Sequence, residues 1–176
     1  MILMRVNVVA HNPAWKDAFE VEAAQLIRVL ADLVVAVHHI GSTAIPGICA
    51  KPIIDILLEV EDIGRLDLET AKLEAAGYEA KGEFGIPGRR YFRKDDGCGV
   101  RTHQVHAFQT GDGHVDRHLA FRDYMIAHPE SARAYGALKQ LLAREHPDDI
   151  DAYMDGKDSY IKEQERNALA WWKPRA

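Results

Sequence analysis

A chain of 176 residues, 47% hydrophobic and 28% charged, has the size and composition of one well-packed globular domain. Its formal net charge of −5 does not favour a general nucleic-acid binder, which would carry a basic surface, and no apolar run reaches the roughly 20 residues of a membrane span. Cys49 and Cys98 form no metal-type spacing, and the opening from Met1 to Val6 is too short for a secretory signal, so a cytoplasmic chain without disulfides is expected.

Asn12-Pro13 offers a capping side chain and a proline suited to a first helical turn. Trp15, Phe19, Ala23, Leu26, Ile27 and Leu30 then recur at helical spacing. Val34 to Ile40 is rich in β-branched residues and reads as a strand that runs into a Gly-Ser turn. Ile53 to Val60 reads as a second strand, apolar enough to be central in a sheet. Leu66 to Ala76 predicts a helix stopped by Gly77. Arg90 to Lys94 and Val100 to Gln109 predict a hairpin around Asp95-Asp96-Gly97. From Val115 onward the pattern is helical, and Pro129 and Pro147 divide it into segments near 114–128, 130–146 and 149–172. Strands grouped early and helices grouped late predict an α+β class. The whole of 1–176 reads as a single domain, an α/β core to about residue 112 followed by a helical part.

The stretch His39-Ile40-Gly41-Ser42-Thr43-Ala44-Ile45-Pro46-Gly47, followed by Lys51-Pro52-Ile53-Ile54-Asp55-Ile56-Leu57, carries most of the chemical information. Glycine lets backbone amides approach an anion closely. A carboxylate on an otherwise buried strand requires a metal ion or a cationic neighbour. As residues alone, Gly41-Ser42 is equally an ordinary turn, Asp55 a structural carboxylate paired with a base, and Lys51 a solvated loop lysine.

With Ala50 added before Lys51, these two strings closely resemble the GrpB family. Further matching strings follow in order: Phe84-Gly85-Ile86-Pro87-Gly88-Arg89-Arg90-Tyr91-Phe92, Thr102-His103-Gln104-Val105-His106, Phe121-Arg122-Asp123-Tyr124, and Tyr153 with Lys157. The likeness covers nearly the whole chain. That family is placed with the nucleotidyltransferase fold typified by DNA polymerase β and the antibiotic adenylyltransferases. The resemblance therefore implies a nucleotidyltransferase-like mixed sheet flanked by helices. It also implies transfer of a nucleoside monophosphate, such as AMP, from a nucleoside triphosphate to the hydroxyl of an unknown small-molecule or protein acceptor.

Such transfer uses divalent metal to bridge triphosphate oxygens and activate the attacking hydroxyl. Magnesium takes hard oxygen ligands, and carboxylates at i and i+2 of a strand project from one face to supply them. Asp55 is present, but the i+2 position is Leu57, and Glu59 on that face lies about 13 Å from Asp55 by strand rise. On the later strand, alternation sends Gln104, His106 and Phe108 to one face and His103 and Val105 to the other. A site of Asp55 with His106 suits manganese or zinc better than magnesium.

By the same resemblance Gly41 and Ser42 meet phosphate, and Lys51 and Lys157 are candidate phosphate contacts. Arg90 is the expected guanidinium of the Arg89, Arg90 and Arg93 cluster. His39, His103 and His106 are candidates for ligand or acid–base work, each set against the commoner role of a buried neutral histidine. Trp171-Trp172 reads as a hydrophobic lock for the last helix. Two other readings stand beside transfer. One is a nucleotide- or metabolite-binding module that has lost the two-carboxylate clamp, the other a metal-dependent phosphate-ester hydrolase.

Overall fold

The computed structural model describes residues 5–173, so most of the apolar opening lies outside the described residues. The fold is α+β, a five-stranded mixed sheet flanked by six helices. Strand β1 (Val34–Ile40) pairs antiparallel with β2 (Ile54–Val60), which lies parallel to β5 (Arg101–Gln109). Beyond β5 come β4 (Arg90–Asp95) and the two-residue β3 (Glu79–Ala80), both antiparallel, giving the order β1-β2-β5-β4-β3. The hairpin is the expected one. β3 is too short for any residue pattern to announce it.

Strand register decides which side chains share a face. Asp55 pairs with Gln104 and Leu57 with His106, while His106 also pairs with Tyr91, so these five point to one side. Ile54, Ile56 and Leu58 point to the other side with Val105 and Ala107, where they form the main core. Ile56, Leu57, Leu58 and Val60 are fully buried, as an apolar strand covered on both faces must be.

Helix α1 (Ala14–Leu30) covers the main-core face, its first amide capped by Asn12 Oδ1 at 2.9 Å. Trp15, Leu26 and Leu30 face inward as their spacing predicts, but Ile27 is half exposed and Glu22 is buried instead. The reason is a polar cluster: Glu22 accepts hydrogen bonds from the Tyr78 hydroxyl and the Lys94 ammonium, both at 2.5 Å. The single helix expected over 66–76 is two, α2 (Ile63–Leu68) and α3 (Thr70–Ala75). Asp62 caps the first through the Arg65 amide, and the Thr70 hydroxyl donates to the Asp67 carbonyl where the first ends.

The opposite face is covered by α4 (Gly113–Ala127), with α5 (Pro129–Glu145) and α6 (Ile150–Trp171) packed beside it. Asp112 and Asp149 cap α4 and α6, and Pro129 opens α5 at its first position. At Gly156 of α6 a methyl group would collide with Leu142 of α5, so glycine sets how closely these helices approach. Trp172 packs against the cluster under α4, while Trp171 meets Tyr124 and His128 edge-on. None of the described helices is long and apolar enough to cross a membrane.

Under α4 lies a small apolar cluster of Ile40, Leu57, Phe108, Val115 and Leu119. Leu57 thus occupies, at 0% exposure, the place where the resemblance would put a second carboxylate. Burying a carboxylate there without a partner would cost several kcal/mol. Leu57→Asp should therefore lower stability by about 3 kcal/mol or more, read as a fall in the denaturant midpoint. An unchanged midpoint would mean that the cluster already admits water or a cation.

Candidate functional site

The site begins where β1 ends. Gly41 adopts φ +71°, a conformation that glycine alone takes without strain, and a Cβ there would stand 2.6 Å from Asp55 Oδ2. Ser42 to Ala44 then make one 3-10 turn, closed by the Ala44 and Ile45 amides on the Gly41 and Ser42 carbonyls at 3.1 Å. The Gly-Ser turn is thus pressed onto the only carboxylate of β2 that faces this end of the sheet. Two features that the sequence joined by motif are joined here by contact.

The other oxygen of Asp55 meets a histidine. His106 Nε2 lies 3.3 Å from Asp55 Oδ1, and His106 Nδ1 lies 3.3 Å from an Arg89 Nη1. A guanidinium only donates, so Nδ1 is the acceptor and the ring proton sits on Nε2, donated to Asp55. Arg89 is itself buried at 7% exposure, its Nε donating to the Glu83 carbonyl and its Nη2 to the Phe84 carbonyl. This chain links Arg89 through His106 to Asp55, whose other oxygen faces the turn. Behind it stands His118, 5.6 Å from His106 between ring centres, whose pKa burial and the neighbouring Arg117 press down to about 2.

Beside Asp55 opens a cavity of about 170 Å³, lined by the Gly41–Thr43 turn, Gln104 and three lysines: Lys51, Lys139 and Lys157. Lys157 rests on the Tyr153 ring at 4.6 Å, with Lys51 5.6 Å from the same ring; Lys139 lies 4.5 Å from the Tyr135 ring. Lys139 is 1% exposed and donates to the Cys49 carbonyl at 2.5 Å. Burial, with the other lysines adding repulsion, lowers Lys139 to about 7 and Lys157 to about 8. Burial also lowers Lys51, against an opposing pull from Asp55. The Tyr153 hydroxyl, fully buried, has no hydrogen-bond partner.

The sequence candidates fall into two groups. Gly41, Ser42, Lys51, Asp55 and Lys157 line this one cavity, and His106 supports it from behind. Arg90, His39 and His103 do not reach it. Arg90 projects to the other side of the sheet and forms a paired bond with Asp67, at 2.6 and 3.0 Å; its neighbour Arg89 is the one that turns toward His106. His39 alternates onto the α1 face, where it stacks on Phe19 at 4.8 Å and bonds Thr43 Oγ1 at 2.9 Å. Burial drops its pKa to about 4, so it is neutral at pH 7. His103 also points away, toward Glu22 and Lys94.

The sequence reading passed over Lys139 and Tyr135. Both sit on the inward stripe of α5 with Ala132, Gly136 and Leu142. A lysine at an apolar helical spacing is the signal that could have found them.

The donor set does not suit a resident divalent ion. Among the described residues no group of three His, Cys, Asp or Glu side chains converges on one point. Asp55 is the single carboxylate on the cavity wall, Leu57 is apolar, and the cavity is ringed by amines.

Lys139 has a consequence for stability. Its folded pKa near 7 lies below the roughly 10.4 of a solvated lysine, so between those values the unfolded chain binds the extra proton and stability from this group rises with pH. The parent should therefore gain stability relative to Lys139→Met as pH rises from 7 to about 9, measured as the difference in Tm at each pH. A difference that does not vary with pH would mean that Lys139 is charged in the fold throughout this range.

Residues 5–167 match the family described as GrpB protein. The UPF0157 protein YqkA of Bacillus subtilis is 46% identical over 171 residues, which is 97% of this chain and 49% of YqkA. The chain thus spans about half the length of that relative. The crystal structure of conserved protein GrpB from Enterococcus faecalis superimposes with a TM-score of 0.90 at 47% identity, covering 95% of this chain and all of that one. A more distant likeness of fold, with a TM-score of 0.47 at 10% identity over 74% of this chain, is to the Cid1 poly(U) polymerase. Motif, family match and superposition agree, and the chain belongs to the GrpB family.

Proposed function

We propose that this chain binds the phosphates of a nucleoside triphosphate in the lysine cavity, and that Lys51, Lys139 and Lys157 supply the positive charge in place of a resident divalent ion. The observation that carries this reading is three amines around one small cavity with Asp55 as its single acidic wall residue. Desolvating an ammonium costs several kcal/mol, and a group of them is stabilised by a partner of opposite charge. A phosphate chain provides that partner. It also provides oxygens for the unpartnered Tyr153 hydroxyl, and the Gly41-Ser42 turn lets it approach the backbone.

Nucleotidyl transfer and phosphate-ester hydrolysis both require an ion on Asp55. Here one oxygen of Asp55 faces the His106 N–H and the other faces the Gly-Ser turn. The binding module needs neither ion nor second carboxylate, and it makes use of the lysines that the transferase reading leaves over. In it Asp55 positions the turn and offsets part of the amine charge.

Calorimetric titration with ATP and with inorganic tripolyphosphate, in the presence of a chelator, tests the reading. Both should bind. Lys157→Met should weaken both by about tenfold or more, the loss of one charge-assisted hydrogen bond. Binding of ATP that appears only with Mg²⁺ or Mn²⁺ would contradict it and restore the transferase.

A further inference from the structure

A cavity of about 170 Å³ is small. Sites that enclose an organic ligand run to about 300–1,000 Å³, so the lysine cavity has room for phosphates but not for the nucleoside attached to them. The rest of such a ligand must lie next door. A second cavity, of about 330 Å³, adjoins the first and shares Lys51 and Ile53 with it as a common wall.

The walls of the second cavity differ in chemistry. Pro52, Ile53, Val100 and Ile150 give it apolar faces, and Arg5 and Arg101 stand on its edge. Val100 is 60% exposed at the tip of the β4–β5 hairpin, an apolar side chain that no core claims. The hairpin tip is nonetheless ordered. Asp96 Oδ1 accepts the Cys98 and Val100 amides at 2.8 and 3.0 Å, and Asp95 pairs with Arg101 at the base. The result is an ordered, largely apolar slot beside the phosphate cavity, with Lys51 and Ile53 lining both.

We propose that this slot receives the base and sugar of the nucleotide whose phosphates the lysines hold. The proposal rests on the phosphate reading of the neighbouring cavity. A base is a flat, largely apolar ring that packs on the Pro52, Ile53 and Val100 side chains, and guanidinium planes stack on such rings. Lys51, common to both cavities, stands where the phosphate chain meets the sugar. The ligand class is thus a nucleoside polyphosphate bound lengthwise, not a free polyphosphate.

The slot carries its own reporter. Cys98 lines it and is exposed, whereas Cys49 is buried with its thiol on the Gly136 carbonyl. A disulfide reagent such as dithiobis(nitrobenzoate) therefore reads Cys98 in the folded protein. With ATP at ten times its Kd the rate should fall about tenfold, following the fraction left free. Tripolyphosphate, filling only the lysine cavity, should leave the rate unchanged. Val100→Ser should weaken ATP by about fivefold, the loss of one apolar contact, and leave the tripolyphosphate Kd as it was.

Two results overturn the proposal while the phosphate reading survives. In one, ATP binds but Cys98 stays as reactive as in the free protein. In the other, tripolyphosphate protects Cys98 as well as ATP does. If calorimetry finds that neither ligand binds, the phosphate reading fails and this proposal fails with it.

Discussion

Asp55 is a carboxylate on a strand whose neighbours Ile56, Leu57 and Leu58 are fully buried, and much of the molecule is arranged around it. The Gly-Ser turn leaves no space for a side chain between itself and Asp55. His106 answers one oxygen and is itself held by a buried arginine. Lysines from the loop before β2, from α5 and from α6 gather on the open side. The C-terminal helices therefore complete the site as well as covering the sheet, because they deliver two of its three amines.

A carboxylate beside a phosphate pocket is usually taken as a seat for a metal ion. Geometry argues for a different division of labour here. A metal seat needs converging anionic or lone-pair donors, and this cavity presents donors that carry protons. Amines and a divalent ion are alternative answers to the same anion, one built into the chain and the other borrowed from solution. The built-in answer has its own energetic consequence. Amines held near pKa values of 7 and 8 lower the stability of the ligand-free fold and become most favourable when an anion recharges them.

Much of this was legible in the sequence. The central strand, the hairpin and the three C-terminal helices were marked by apolar runs, a turn dipeptide and two prolines, signals that depend only on neighbours along the chain. Alternation also separated His106 from His103 correctly, because strand pleating is regular. What escaped depended on packing between distant segments. Arg90, the guanidinium expected at the site, lies within β4, and strand alternation sends it across the sheet to Asp67. Arg89, one residue before the strand, is free to turn back to His106. His39 was chosen for its place beside the turn, but β1 register gives it to α1. Lys139 was overlooked because a charged residue on an apolar stripe reads as noise until three of them meet in space.

The claim that lysines carry the charge is tested most directly by proton uptake on binding. Calorimetry of tripolyphosphate at pH 8, in two buffers of different ionisation enthalpy and with a chelator present, counts the protons taken up. Lys139 and Lys157, with pKa values near 7 and 8 before binding, are partly neutral at that pH and gain protons as the anion arrives. The account predicts a net uptake of about one proton, shrinking in Lys139→Met. A binding heat that is the same in both buffers would contradict it, for the amines would then not be the groups that meet the phosphate.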